Sequence, residues 1–182
     1  MLSVSRHHFD QAKNAEIMHL DVPSESIALA FKESCLEHLQ LRWVCVLQKG
    51  GIESKEDVLK YLTWTASQGV KSVCFKELYV SSSTESVYYE KGSNQYSYDR
   101  QISLSVVTEL AIEQGWKKLG ELPWGSPIFE VKIEGVCISV AAYTEPSVLW
   151  ELNNGVCRSW NLMANGLCYA SLERLDSEVM AV

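Results

Sequence analysis

Within its first 80 residues the chain alternates short apolar runs with amphipathic stretches, and this order restricts the fold more than any other feature. Residues 2–6 (LSVSR) read as a strand, and 41–47 (LRWVCVL) and 70–75 (VKSVCF) as two more. A weak helical turn is expected around 14–18. Ile27, Phe31, Cys35 and Leu39 then recur every four residues after Pro23 and Ser24, and Val58, Leu62 and Ala66 do so after Ser54. That period places each set on one face of a helix. Ser54 with Asp57 predicts a capping box, and Gly69 predicts a left-handed cap where the second helix ends. LRWVCVL is apolar on both faces, as a parallel strand covered by helices should be. Two strand–helix–strand units in succession predict right-handed crossovers and parallel strands.

Beyond this region the composition changes. Residues 81–100 carry SSSTES, paired tyrosines and KGSNQYSYDR, which predicts a polar excursion and not a core element. A helix is predicted over 104–114, with Val106, Val107, Leu110 and Ala111 inward and Gly115 closing it. IFEVKIE and VCISVAAY flank Glu134 and Gly135 as a hairpin, and VCRSWNLM and LCYASLE flank Asn165 and Gly166 as a second. The expected class is α/β: a partial (β/α) barrel of parallel strands over 1–80, a polar excursion over 81–103, and a C-terminal α+β antiparallel addition of helix and hairpins over 104–182.

A chain of 182 residues with 47% hydrophobic and 21% charged side chains can bury a true core. No apolar stretch approaches the roughly 20 residues of a membrane span, and the first 25 residues carry His, Asp, Lys and Glu where a signal peptide is apolar. A cytoplasmic location is therefore expected, with no membrane partner. The net charge of -7 and the scatter of basic residues argue against nucleic acid as a partner. The six cysteines contain no CxxC pair, and Cys45 and Cys74 sit inside apolar runs. They read as reduced, buried thiols and not as a metal site.

In a parallel α/β unit, ligands bind where the strands end at their carboxyl side. The polar residues expected at that rim are Arg6, His7, His8 and Asp10, then residues 48–51, then Lys76, Glu77 and Tyr79. His7 and His8 are adjacent and face opposite ways in an extended strand, so the pair alone cannot chelate one ion. A loop-facing pair with one ring hydrogen-bonded is the plain expectation, and general-base chemistry is open to either imidazole. The KGGI stretch offers uncrowded backbone amides to an anion, or forms only a tight turn. Glu77 beside Lys76 suggests a surface ion pair. Phosphate-loop, GxSxG and HExxH motifs are all absent.

The segments VSRHHFDQAKNAEIM, LRWVCVLQKGGIES and GVKSVCFKELYV, in this order and spacing, resemble strands four to six of the radical S-adenosylmethionine (SAM) superfamily barrel, in the branch that includes the GTP cyclase of molybdopterin synthesis. The resemblance covers residues 2–80. It implies a SAM-binding role for Ser5, which would touch the ribose or carboxylate, with Arg6 following it. It further implies adenine packing beside Val44, Val46 and Leu47, and a place for Glu77 and Leu78 near substrate or the adenine edge. The chain departs from the family in lacking the CxxxCxxC loop and the glycine-rich motif after strand two. No iron–sulfur cluster is expected on this chain alone, because three close thiolates are needed to hold one.

Two functions follow as expectations. The chain is the C-terminal portion of a radical SAM-type enzyme, completed by another segment or polypeptide, or it is a stand-alone, non-catalytic interaction module. Either way the strand at 2–6 is expected to be an edge with unpaired backbone groups, which predicts a homodimer or a partner chain there.

Overall fold

The computed structural model describes residues 1–34, 38–81, 84, 86–146, 148–156, 161–163, 166–171 and 177–179. They form two compact units, Met1–Leu78 with Arg100–Thr144, and Tyr79–Asp99 with Glu145–Val182.

The first unit opens with β1 (Leu2–Ser5), α1 (Gln11–Met18), α2 (Ser24–Glu33), β2 (Leu41–Leu47), α3 (Lys55–Ser67) and β3 (Ser72–Glu77). After α4 (Gly92–Arg100), which falls almost wholly in the second unit, it continues with α5 (Ser105–Glu113), β4 (Lys117–Glu121), β5 (Pro127–Ile133) and β6 (Val136–Ala142). The strands make one open, mixed six-stranded sheet in the order β1-β2-β3-β6-β5-β4. β1, β2, β3 and β6 run parallel, while β6, β5 and β4 form an antiparallel meander.

Local signals act as the sequence implies. Ser54 Oγ accepts from Asp57 N–H at 3.1 Å while Ser54 N–H donates to Asp57 Oδ2 at 3.2 Å, which completes the capping box of α3. Gly69 takes φ +70°, and Glu134 and Gly135 take φ 48° and 86°, the paired positive angles of a tight hairpin turn. α1 begins at Gln11, upstream of the expected turn, because Asp10 Oδ1 accepts from Lys13 N–H at 2.9 Å and caps it. α2 ends at Glu33, so Leu39 lies beyond its helical stripe; Cys35 lies outside the described residues. β4 has no apolar alternation in sequence. KKLGE is mostly polar and is interrupted by an irregularity between Lys118 and Gly120, as suits an exposed edge strand that discourages further pairing.

One face of the sheet carries the core. Leu41, Trp43, Cys45 and Leu47 of β2 join Val73 and Phe75 of β3 and Val140 and Ala142 of β6 against Val58, Tyr61, Leu62 and Ala66 of α3 and Val107 and Leu110 of α5. Ile27, Ala28 and Phe31 of α2 pack on the same cluster. Successive right-handed crossovers that advance in one direction place their helices on one side of a sheet, which explains this asymmetry. The alternate residues, Val44 and Val46 of β2 and Ala141 of β6, are half-buried and lie outside that cluster.

The second unit holds α4, α6 (Val148–Asn154) and a small antiparallel sheet of β7 (Asn161–Leu162), β8 (Cys168–Tyr169) and β9 (Glu178–Val179). α4 lies in the stretch read as a polar excursion, and none of its residues is buried. Asn94 braces the unit, its Nδ2 donating to Ser81 O and Tyr89 O, both at 3.0 Å. β7 and β8 pair as the expected second hairpin, with Gly166 at φ +80°; Asn165 and Cys157 lie outside the described residues. Among the described residues Cys45, Cys74, Cys137 and Cys168 form no disulfide, and burial pushes the Cys45 thiol pKa up. Among the described residues no helix is long and apolar enough to cross a membrane.

Candidate functional site

The carboxyl ends of β1, β2 and β3 gather most of the polar residues singled out in the sequence. Arg6 extends β1 by one rung, its N–H donating to Val44 O at 2.8 Å. Its side chain is 2% exposed, with Nη1 donating to Val22 O and Nη2 to Gln11 Oε1, each at 2.6 Å. Gln11 Nε2 in turn donates to Asp21 Oδ1 at 2.6 Å. This clasp ties the start of α1 to the loop before α2. The Arg6 carbonyl accepts from the Tyr61 hydroxyl at 2.7 Å, and Tyr61 is fully buried against Trp64 and Phe75.

Both histidines are fixed through backbone groups. Asn14, fully buried in α1, accepts at Oδ1 from His7 N–H at 2.8 Å and from His8 N–H at 3.3 Å. His7 Nδ1 accepts from Val46 N–H at 3.1 Å, and His8 Nδ1 accepts from Asp10 N–H at 2.8 Å. A nitrogen that accepts carries no proton, so each ring is the neutral Nε2–H tautomer. Burial first, then the charge of Arg6, lowers the pKa of His7. For His8, burial first and then Lys13 lower it, against Asp10 and Asp57. Among the described residues, no three His, Cys, Asp or Glu converge as metal ligands.

These lowered values set an acid limit on stability. Below about pH 6.5 the unfolded histidines take up protons while the folded ones resist, so the native state loses stability as pH falls through that value toward the folded pKa. Urea unfolding should give a free energy that declines from pH 7 to pH 5. His8→Asn, whose Oδ1 can still accept from Asp10 N–H, should flatten the decline. A wild-type stability independent of pH over this range would contradict the neutral assignment.

The KGGI stretch is the tight turn of the two readings. Lys49 N–H donates to Arg100 O at 2.9 Å, Gly50 N–H to Glu53 Oε2 at 3.2 Å and Gly51 N–H to Gln48 O at 3.0 Å, so these amides serve the loop itself. Gly50 takes φ +80°, and a Cβ on Gly51 would lie 3.2 Å from Gln48 Cγ and 3.4 Å from Ile17 Cδ1, so α1 packs closely on this loop. Glu77 does not use its carboxylate on Lys76. Oε1 accepts from Leu104 N–H at 2.7 Å, at the start of α5, and Oε2 accepts from Thr144 Oγ1 at 2.9 Å. A carboxylate at a helix N-terminus is favoured by the helix dipole.

The register divides the residues named for SAM binding between two faces. Ser5 pairs with Val44, Val44 with Cys74 and Cys74 with Ala141; one step up, Val46 pairs with Lys76. Ser5 is exposed and Val46 half-buried, both on the face away from the α3 core. Tyr143 follows Ala142 beside Lys76: its N–H donates to Phe75 O at 3.1 Å, and Lys76 Nζ lies 4.8 Å from its ring centroid. Leu47 is fully buried in the core, and Arg6 and Glu77 share its face. Ser5 and Val46 are thus brought to one surface, while Arg6, Leu47 and Glu77 brace the other. Tyr79 belongs to the second unit.

Sequence reasoning missed Asn14, Tyr61 and Tyr143. Tyr61 lies on the Val58, Leu62 stripe, so its burial follows from helical spacing, but the partner of its hydroxyl does not. Asn14 gives no such signal, since a lone Asn in a short helix reads as surface. A comparison with family models finds no match for the chain, and a comparison with curated proteins finds none either.

Proposed function

We propose that this chain is the C-terminal portion of a radical SAM-type enzyme of the cytoplasm. On this reading its open sheet is the partial (β/α) barrel, and the surface carrying Ser5 and Val46 supplies part of a SAM and substrate pocket. The single observation that carries it is the pair of rows crossing the parallel strands: Ser5, Val44, Cys74 and Ala141 below, with Val46, Lys76 and Tyr143 above. Barrel enzymes place their sites at the carboxyl ends of parallel strands, on side chains from neighbouring strands. Val44 and Val46 offer an apolar floor to a flat base, while the Ser5 hydroxyl and Lys76 ammonium supply polar contacts at its margin. The cluster that reduces SAM is assigned to a completing segment or chain, since the sequence holds no three close cysteines.

SAM titrated into the protein should quench tryptophan fluorescence with weak but saturable binding. Ser5→Ala, at an exposed position that leaves the core intact, should weaken binding about fivefold, the worth of one hydrogen bond. Absence of saturation in the wild type, or equal binding by Ser5→Ala, would count against the pocket.

The β1 edge favours the second reading, an interaction module. Leu2 N–H donates to Gln40 O and Arg6 N–H to Val44 O, so alternation turns the backbone groups of Ser3 and Ser5 outward. The strand has neither Pro nor Lys to discourage pairing. Antiparallel pairing with a second copy about Val4 would make a homodimer, readable by sedimentation of the same samples. Loss of self-association in Ser3→Pro, with SAM binding unchanged, would separate the two readings.

A further inference from the structure

The end of β1 departs from the parallel ladder in a way that gives His7 a particular place. Since Arg6 N–H bonds Val44 O, the next rung should run from Val46 N–H to the carbonyl of Arg6. That carbonyl instead accepts from the Tyr61 hydroxyl at 2.7 Å, and Val46 N–H is taken up by His7 Nδ1 at 3.1 Å. The imidazole therefore stands in for a backbone carbonyl, and Asn14 Oδ1 accepts from the His7 main-chain N–H at 2.8 Å. Nδ1 is committed as an acceptor, so the ring proton sits on Nε2, on the far side from Val46. Nε2 has no partner among the described residues.

From these contacts we infer that His7 is a ligand-binding residue, whose Nε2–H donates to an anionic oxygen, of a carboxylate or a phosphate, bound at the carboxyl end of β1 and β2. Three observations converge on it. The donor is held in one tautomer and one orientation by a backbone bond, so no rotamer freedom is lost on binding. It lies at the strand ends where open α/β sheets take their ligands. The charge of Arg6 is close enough to bear on the ring, and a fixed cation beside the donor favours an anion there. Because it concerns the same rim, this assignment rests on the pocket reading above and adds to it the class of group that is recognised.

Two substitutions separate binding from structure. In His7→Asn the Oδ1 can still accept from Val46 N–H while the Nε2–H is gone; in His7→Gln the reverse holds, a donor near the Nε2 position without the Nδ1 acceptor. Long-range proton–nitrogen spectra of the labelled wild type should show His7 as the Nε2–H tautomer. Its Nε2–H signal should move on titration with SAM, and with acetate or inorganic phosphate used as bare anion probes, the stronger of the two identifying carboxylate or phosphate. His7→Asn should keep the wild-type thermal midpoint yet bind the effective probe at least tenfold more weakly, the worth of one hydrogen bond to a charged acceptor. His7→Gln should lower the midpoint and retain more of the binding. A proton on Nδ1, equal binding by His7→Asn, or no movement of His7 with any of the three probes would overturn the assignment. If acetate or phosphate moves the signal while SAM does not bind at all, the SAM pocket fails and the His7 site stands.

Discussion

Tyr61→Ala is expected to destabilise the first unit by about 3–5 kcal/mol, the usual cost of truncating a buried aromatic residue. Tyr61→Phe should cost about 1–3 kcal/mol, because the ring stays in place while the carbonyl of Arg6 loses the hydroxyl that satisfies it. The difference between the two variants isolates packing against Trp64, at 5.2 Å between ring centroids, and Phe75, at 5.5 Å. Urea unfolding of the two variants beside the wild type measures both terms. A Phe variant as stable as the wild type would mean that the Arg6 carbonyl finds water or returns to the ladder bond with Val46. In that case His7 Nδ1 would be released, and the amide of Val46 would exchange at a different rate.

Asn14→Ala removes the acceptor of two backbone donors, His7 N–H and His8 N–H, at a position with no exposure to solvent. Each orphaned group costs about 1–3 kcal/mol, so a total near 2–4 kcal/mol is expected once partial relaxation is allowed. Loss of exchange protection should be confined to the His7 and His8 amides and the first turn of α1. Asn14→Asp keeps the oxygen that accepts, but it puts a charged second oxygen at the buried position where Asn14 Nδ2 has no partner among the described residues, so it should not restore full stability. A loss under 0.5 kcal/mol in Asn14→Ala would show that this loop is hydrated and its geometry is not held by Asn14.

The elements that were legible in the sequence are those set by residues a few positions apart. The capping box of α3 spans Ser54 to Asp57, the turn of the β5–β6 hairpin is Glu134 with Gly135, and Gly69 ends α3 by its own positive φ. β4 was not legible, because an edge strand that meets one neighbour needs little apolar alternation. At the rim, the sequence named Arg6, His7, His8 and Glu77 as polar residues at strand ends, and all of them stand there. It did not reveal what each one does. The Glu77 partners are 27 and 67 residues away, and the His7 partner is 39 away. A residue read as facing a ligand or a neighbouring lysine turns out to join α5 to the end of β6.

By itself, then, the sequence determined the strand and helix order up to β3, the caps of α3, the hairpin turns and the apolar faces of β2 and α3, since each depends on short-range spacing and backbone preference. The tertiary structure alone decided that β6 seats beside β3, that the packed α2, α3 and α5 cover one face of the sheet, and that Ser5 and Val46 share a surface from which Leu47 is turned away. It also decided the tautomers of both histidines. These outcomes follow from strand register and from hydrogen bonds between distant segments, which form only when the whole sheet is assembled.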